Sequence, residues 1–140
     1  MAVGFTTQDA TAILASRIRP TTYIALSTTI PNKDGSNFSE PEEKTDLGEE
    51  TGYRRAPFGK INATKDSQIA NDEIIFICEA LVNLGKFKSL GLSDSDEVGG
   101  RVFLMADLDP EVTVGAGYVP LIRRNKLVIG LDVEELEAYA

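Results

Sequence analysis

The chain contains no histidine and no tryptophan, and Cys78 is its single cysteine. Without a second cysteine no intrachain disulfide can close, and without histidine no zinc site of the His/Cys type can be assembled within one chain. A serine or cysteine nucleophile activated by histidine is excluded on the same ground. Cys78 itself lies in the apolar run IIFICEA, where an inert buried thiol is expected. Long hydrophobic stretches are also missing: none approaches the roughly 20 residues that span a bilayer, so no membrane insertion is expected. The N-terminus lacks the basic start and continuous apolar core of a secretory signal, which predicts folding in the cytoplasm. Basic residues are few, 14 against 22 acidic ones for a net charge of −8. Nucleic-acid binding needs clustered Lys and Arg to neutralise phosphates, so that balance argues against such a partner.

The common nucleotide signatures are absent as well. There is no GxxxxGK[ST] loop, and Gly115-Ala116-Gly117 lacks the third glycine of GxGxxG and does not open a helix. Asn32, Asp34, Ser36 and Asn37 surround Gly35, but the calcium-loop spacing with its distal glutamate is not met, and an Asp-Gly turn is expected. Asp94, Asp96 and Glu97 read as a second solvated turn. Glycosidase chemistry needs only two carboxylates about 5–9.5 Å apart. No pair is singled out, and tryptophan for a sugar cleft is lacking. No catalytic, cofactor or metal-ligating residue is nominated, and the chain is not expected to be an enzyme.

What is present is a succession of short apolar strands. At 140 residues with 42% hydrophobic and 26% charged residues, the chain is expected to form one soluble domain. Thr6 or Thr7 caps a helix carrying Ala10, Ile13, Leu14 and Ile18 at helical spacing, with Phe5 as a hydrophobic staple and Pro20 as its stop. About a dozen residues long, it must pack either on the domain or on a neighbouring subunit. Strands are expected at 21–28, 53–58, 60–64, 72–80, 86–93, 101–107, 112–114 and 126–132, with 72–80 buried on both faces. Between the first two lies a long acidic loop, Ile30 to Gly52. The last eight residues read as a short acidic helix or tail. The expectation is therefore an all-β fold: an N-terminal helix over 1–20, a single antiparallel β-sandwich over 21–132, and an acidic terminus over 133–140. Tyr23, Phe58, Phe76, Phe87 and Phe103 are expected in the core. Tyr53 and Tyr118, each following a glycine, could cover a sheet edge or meet a partner. Arg54–Arg55 and Arg123–Arg124 read as solvated strand-edge charge, with an interface salt bridge as the alternative.

Read in order, several phrases resemble a group of small phage and prophage tail proteins, associated with the tail fibre or baseplate. They are Ala25-Leu26-Ser27-Thr28-Thr29 with Pro31, Asp34-Gly35, Glu40-Pro41, and Gly52-Tyr53-Arg54. The second half adds Gly91-Leu92, Gly99-Gly100, Leu108 with Pro110 and Thr113-Val114, and Leu127 to Asp132. The chain departs from that pattern in a longer acidic loop at Glu42–Glu50 and a more basic and apolar stretch at Tyr118–Arg124. The resemblance implies a β-sandwich in a multimeric tail assembly, without a catalytic site to carry over. On that basis the chain is expected to be a structural virion component, assembled in the host cytoplasm as a homo-oligomer. It would link other phage tail proteins to a fibre or receptor-binding protein. Phe5, Ile13, Leu14, Tyr53, Tyr118, Arg123 and Arg124 are the candidate assembly residues. The alternative is a carbohydrate-binding module touching a host-surface glycan through Tyr53, Tyr118 or the Asp34 loop.

Overall fold

The computed structural model describes residues 7–65 and 68–130. Among the described residues one helix, α1 (Thr7–Arg17), precedes nine strands: β1 (Tyr23–Ser27), β2 (Ala56–Pro57), β3 (Ile61–Lys65), β4 (Gln68–Asn71), β5 (Ile75–Phe76), β6 (Gly85–Ser93), β7 (Leu104–Val114), β8 (Leu121–Ile122) and β9 (Val128–Gly130). The fold is predominantly antiparallel β. Phe5 and the expected C-terminal helix lie outside the described residues.

Helix α1 has Asp9 in its first turn and Arg17 in its last, the charge order that complements the helix dipole. Leu14 and Ile18 are buried while Ile13 stands partly in water, so the apolar stripe is narrow and turned inward. It lies against β4. Within one chain, then, the helix packs on the domain itself.

The strands form a four-stranded sheet in the order β2-β1-β6-β7, a three-stranded sheet β3-β4-β9, and a separate pair β5-β8. β1 is central because TTYIALST offers apolar or small residues on both faces; Ile24, Ala25, Leu26 and Ser27 are all buried. It aligns with β6 from Tyr23↔Ser93 to Ser27↔Ser89 without interruption. The expected strands at 101–107 and 112–114 are one element, β7, with a large bulge. Opposite Lys88, between the pairs Phe87↔Val112 and Ser89↔Asp107, β7 carries Leu108 to Glu111. Pro110 sits in that bulge on an edge strand, where a missing N–H is tolerated.

Gly91 is required where β6 is covered. A Cβ there would lie 2.9 Å from Val102 Cγ1 and 3.0 Å from the Phe38 ring. The core gathers Ile24, Leu26, Phe58, Ile69, Ile77, Phe87, Leu92 and Val114, with the Tyr53 and Phe87 rings 6.3 Å apart.

Two expectations are corrected. The 72–80 segment is not a strand buried on both faces: Ile75 and Ile77 are buried, whereas Ile74 and Phe76 are exposed. Phe76 therefore leaves the expected core. In 53–58 only Ala56–Pro57 is regular strand. β4 and β8, too short for a periodic signal, were not expected at all.

Candidate functional site

Buried charge is the first place to look for chemistry. Glu40 follows the turns of the 30–39 segment, and Arg55 enters β2 beside it. Their side chains are 3% and 0% exposed and form an ion pair. Arg55 Nε donates to both Glu40 oxygens, at 3.2 and 3.1 Å, and Nη2 also donates to Oε1. The rest of the guanidinium donates to the carbonyls of Ser95 (3.0 Å) and Gly100 (2.6 Å). Glu40 further accepts from Tyr53 Oη at 2.6 Å and from Gly99 N–H at 3.1 Å. Tyr53 Oη in turn accepts from Leu26 N–H at 3.0 Å.

Burial, and then the charge of Glu40, push the Tyr53 phenol far above its ordinary pKa. It stays protonated. Among the described residues no buried polar side-chain atom lacks a partner. The cluster ties β1, Glu40 and the 95–100 turn together.

Arg55 consequently differs from its expected place as solvated edge charge, while Arg54 next to it is exposed. The alternation of faces explains the split. Which arginine went inside depended on Glu40, a nonlocal partner.

Several clefts open on the surface of the described residues. The one lined by Arg17, Ser93, Asp94, Ser95, Arg101 and Phe103 holds about 310 Å³. Its aromatic surface is already used: the Arg17 guanidinium lies 3.4 Å over the Phe103 ring and bonds Asp94 at 2.7 Å. At the 30–39 turn, Asp34 accepts from Ser36 N–H (2.9 Å) and Ser36 Oγ (2.6 Å), so its carboxylate caps its own turn.

The outer face of the β5–β8 pair is different. Phe76 pairs with Leu121 and Ile75 with Ile122. The contact continues as Ile77 N–H donates to the Pro120 carbonyl (2.9 Å) and Ala80 N–H to that of Tyr118 (3.0 Å). Because side chains alternate, Ile75 and Ile77 enter the core and leave Ile74, Phe76, Val119 and Leu121 facing water. Phe76 and Tyr118 are each 60% exposed.

One end of this ladder is basic. Arg123 and Arg124 follow β8, with Lys126 and Lys60 near them, against Asp72 and Glu73. Arg124 bonds Asp72 at 2.9 and 2.7 Å and Lys60 approaches it at 3.5 Å. That hydrogen bond from Arg124 lowers the Asp72 pKa. Arg123 makes no ion pair among the described residues.

The other end is acidic. Leu81, itself exposed, donates its N–H to the Thr51 carbonyl at 2.9 Å, at the base of a small hairpin in which Lys44 pairs with Glu50. Gly52 allows this approach. With φ at +83° it passes so near that a Cβ would lie 2.0 Å from the Glu79 carbonyl oxygen.

Of the expected assembly residues, Tyr118 lies at the acidic end of this ladder, its carbonyl accepting from Ala80 N–H, and Arg123 and Arg124 lie at the basic end, where Arg124 bonds Asp72. Ile13 and Leu14 lie apart from it on α1, with Leu14 buried. Tyr53 is 2% exposed and belongs to the core, where its hydroxyl accepts from Leu26 N–H on the side of β1 that β2 leaves uncovered, so it meets a strand edge of its own chain. Phe5 lies outside the described residues. Sequence reasoning placed Phe76 in the core and did not single out Ile74, whereas Val119 and Leu121 lie in the Tyr118–Arg124 stretch it had marked as unusually basic and apolar. For Ile74 and Phe76 the signal was the unbroken apolar run, which hides two faces with different fates. No family model matches the chain, and no curated protein matches it.

Proposed function

We propose that this chain is a structural component of a bacteriophage or prophage-derived tail, working as a multimer that links the tail to a fibre or receptor-binding protein. The observation that carries the reading is the outward apolar face of β5–β8, with Phe76 and Leu121 paired in water. Contiguous apolar surface of this kind marks a place where another protein binds. The same reading takes the β2-β1-β6-β7 and β3-β4-β9 sheets as the two layers of a sandwich, with β5–β8 as an assembly flap beside them. It places the chain in the virion after assembly in the host cytoplasm.

The longest free edge does not invite pairing. Along β7, Asp107, Asp109 and Glu111 are exposed and the bulge breaks the ladder, both standard protections against edge-to-edge association. Association is therefore directed to a side-chain face. The buried Glu40–Arg55–Tyr53 cluster belongs to this reading too, because it braces the loops with every polar atom satisfied. No bond-making step is assigned.

Light scattering over a range of protein concentrations, followed by hydrogen exchange, tests the proposal. A multimer with slowed exchange at 74–77 and 118–124 supports it. A monomer at all concentrations that binds no other tail component defeats it.

A further inference from the structure

The polarity of the β5–β8 face, basic at one end and acidic at the other, is joined to a second feature. The hairpin at the acidic end is internally braced. Thr45 N–H donates to the Glu49 carbonyl at 2.7 Å, Gly48 N–H to the Thr45 carbonyl at 2.9 Å, and Thr51 N–H to the Glu43 carbonyl at 2.9 Å. Glu49 N–H donates to Thr45 Oγ1 at 3.2 Å. At the tip of this braced turn stands Leu47, 89% exposed.

A single leucine in water is ordinary. This one is held out on an ordered support and flanked by Glu42, Glu43, Asp46, Glu49 and Glu50, with Lys44 the one opposing charge. Its complement is the outer β5–β8 face, apolar in the middle and edged by Arg123, Arg124 and Lys126. Within one molecule the hairpin base and the basic turn lie at opposite ends of the same ladder. Knob and receiving face are thus two distinct surfaces.

We propose that the acidic hairpin of one copy, led by Leu47, docks on the outer β5–β8 face of the next copy, with its carboxylates against Arg123 and its neighbours. This rests on the multimer reading above and specifies its contact. Because knob and face are different surfaces, two copies can meet reciprocally, knob to face twice, or successive copies can join head to tail into a ring or filament. The charge pattern also opposes self-pairing of like surfaces, since hairpin against hairpin sets acids against acids.

The test uses two full-length single variants, Leu47→Cys and Leu121→Cys, oxidised separately and as a mixture. Cys78 is buried and is left in place. The expected result is a disulfide-linked dimer in the mixture and none with either variant alone. A charge exchange provides the second arm. Glu49→Arg and Arg123→Glu should each abolish the multimer seen by light scattering, and mixing the two variants should restore it.

Cross-linking of either variant with itself overturns the proposal in favour of contact between like surfaces. A wild-type multimer whose mixed variants neither cross-link nor restore assembly overturns this contact while leaving the multimer standing. A monomeric wild type removes both.

Discussion

Arg55 and Glu40 meet side by side in the interior, where the guanidinium reaches both carboxylate oxygens and two backbone carbonyls of the 95–100 turn. Breaking one half of a buried, fully bonded pair leaves an uncompensated charge, which costs about 3–5 kcal/mol. Glu40→Gln and Arg55→Met should each lower stability by about that amount in urea titrations. Replacing both together should cost less than the sum of the two.

Tyr53 adds a pH dependence. An unperturbed phenol ionises near 10.0, whereas burial and Glu40 hold this one protonated well beyond that. Above about pH 10 the unfolded chain releases a proton that the native state keeps, so stability is intact below that pH and declines as pH rises past it. Tyr53→Phe should remove this alkaline loss. At neutral pH it should cost about 1–3 kcal/mol, because Leu26 N–H loses its acceptor. Urea midpoints of both proteins from about pH 8 to pH 11 check both statements.

Glycine positions give a sharper contrast. Gly52 has positive φ and meets backbone, while Gly91 meets only the Val102 and Phe38 side chains. Gly52→Ala should destabilise by more than about 2 kcal/mol, and Gly91→Ala by less, since side chains can shift where a carbonyl cannot. Gly35, with φ at +86° and no atom within 4 Å of a built Cβ, should cost least of the three on substitution by alanine. Thermal unfolding ranks them.

Asn71 holds the basic end of the candidate face. Its amide donates to the carbonyls of Glu73 (2.8 Å) and Arg123 (2.9 Å), and its oxygen accepts from Leu127 N–H (3.0 Å). Asn71→Ala should cost about 2–4 kcal/mol and speed hydrogen exchange at Leu127 and its neighbours before global unfolding.

The parts of this fold legible in sequence were those with length and period. Helix α1, β1, β6 and much of β7 carry enough residues for helical spacing or β-branched enrichment to speak. The run around Phe76 misled for a physical reason. A strand buried on both faces and a strand with one apolar face left in water have the same composition. Arg55 could not be told from Arg54, because only the distant Glu40 decides which one is inside. Leu47 sits in a turn with no periodicity around it, so its exposure on a braced tip is a property of the folded hairpin alone. Tyr118, Arg123 and Arg124 were legible as candidates through their unusual local mixture of apolar and basic residues.

The central claim is that this chain acts by association through the outer β5–β8 face. Sedimentation of the wild type beside a Phe76→Lys/Leu121→Lys variant tests it most directly, because both positions face water and the substitutions leave the core untouched. The account predicts a multimer for the wild type and a folded monomer for the variant. A variant that sediments as the same multimer, or a wild type that stays monomeric at high concentration, would contradict it.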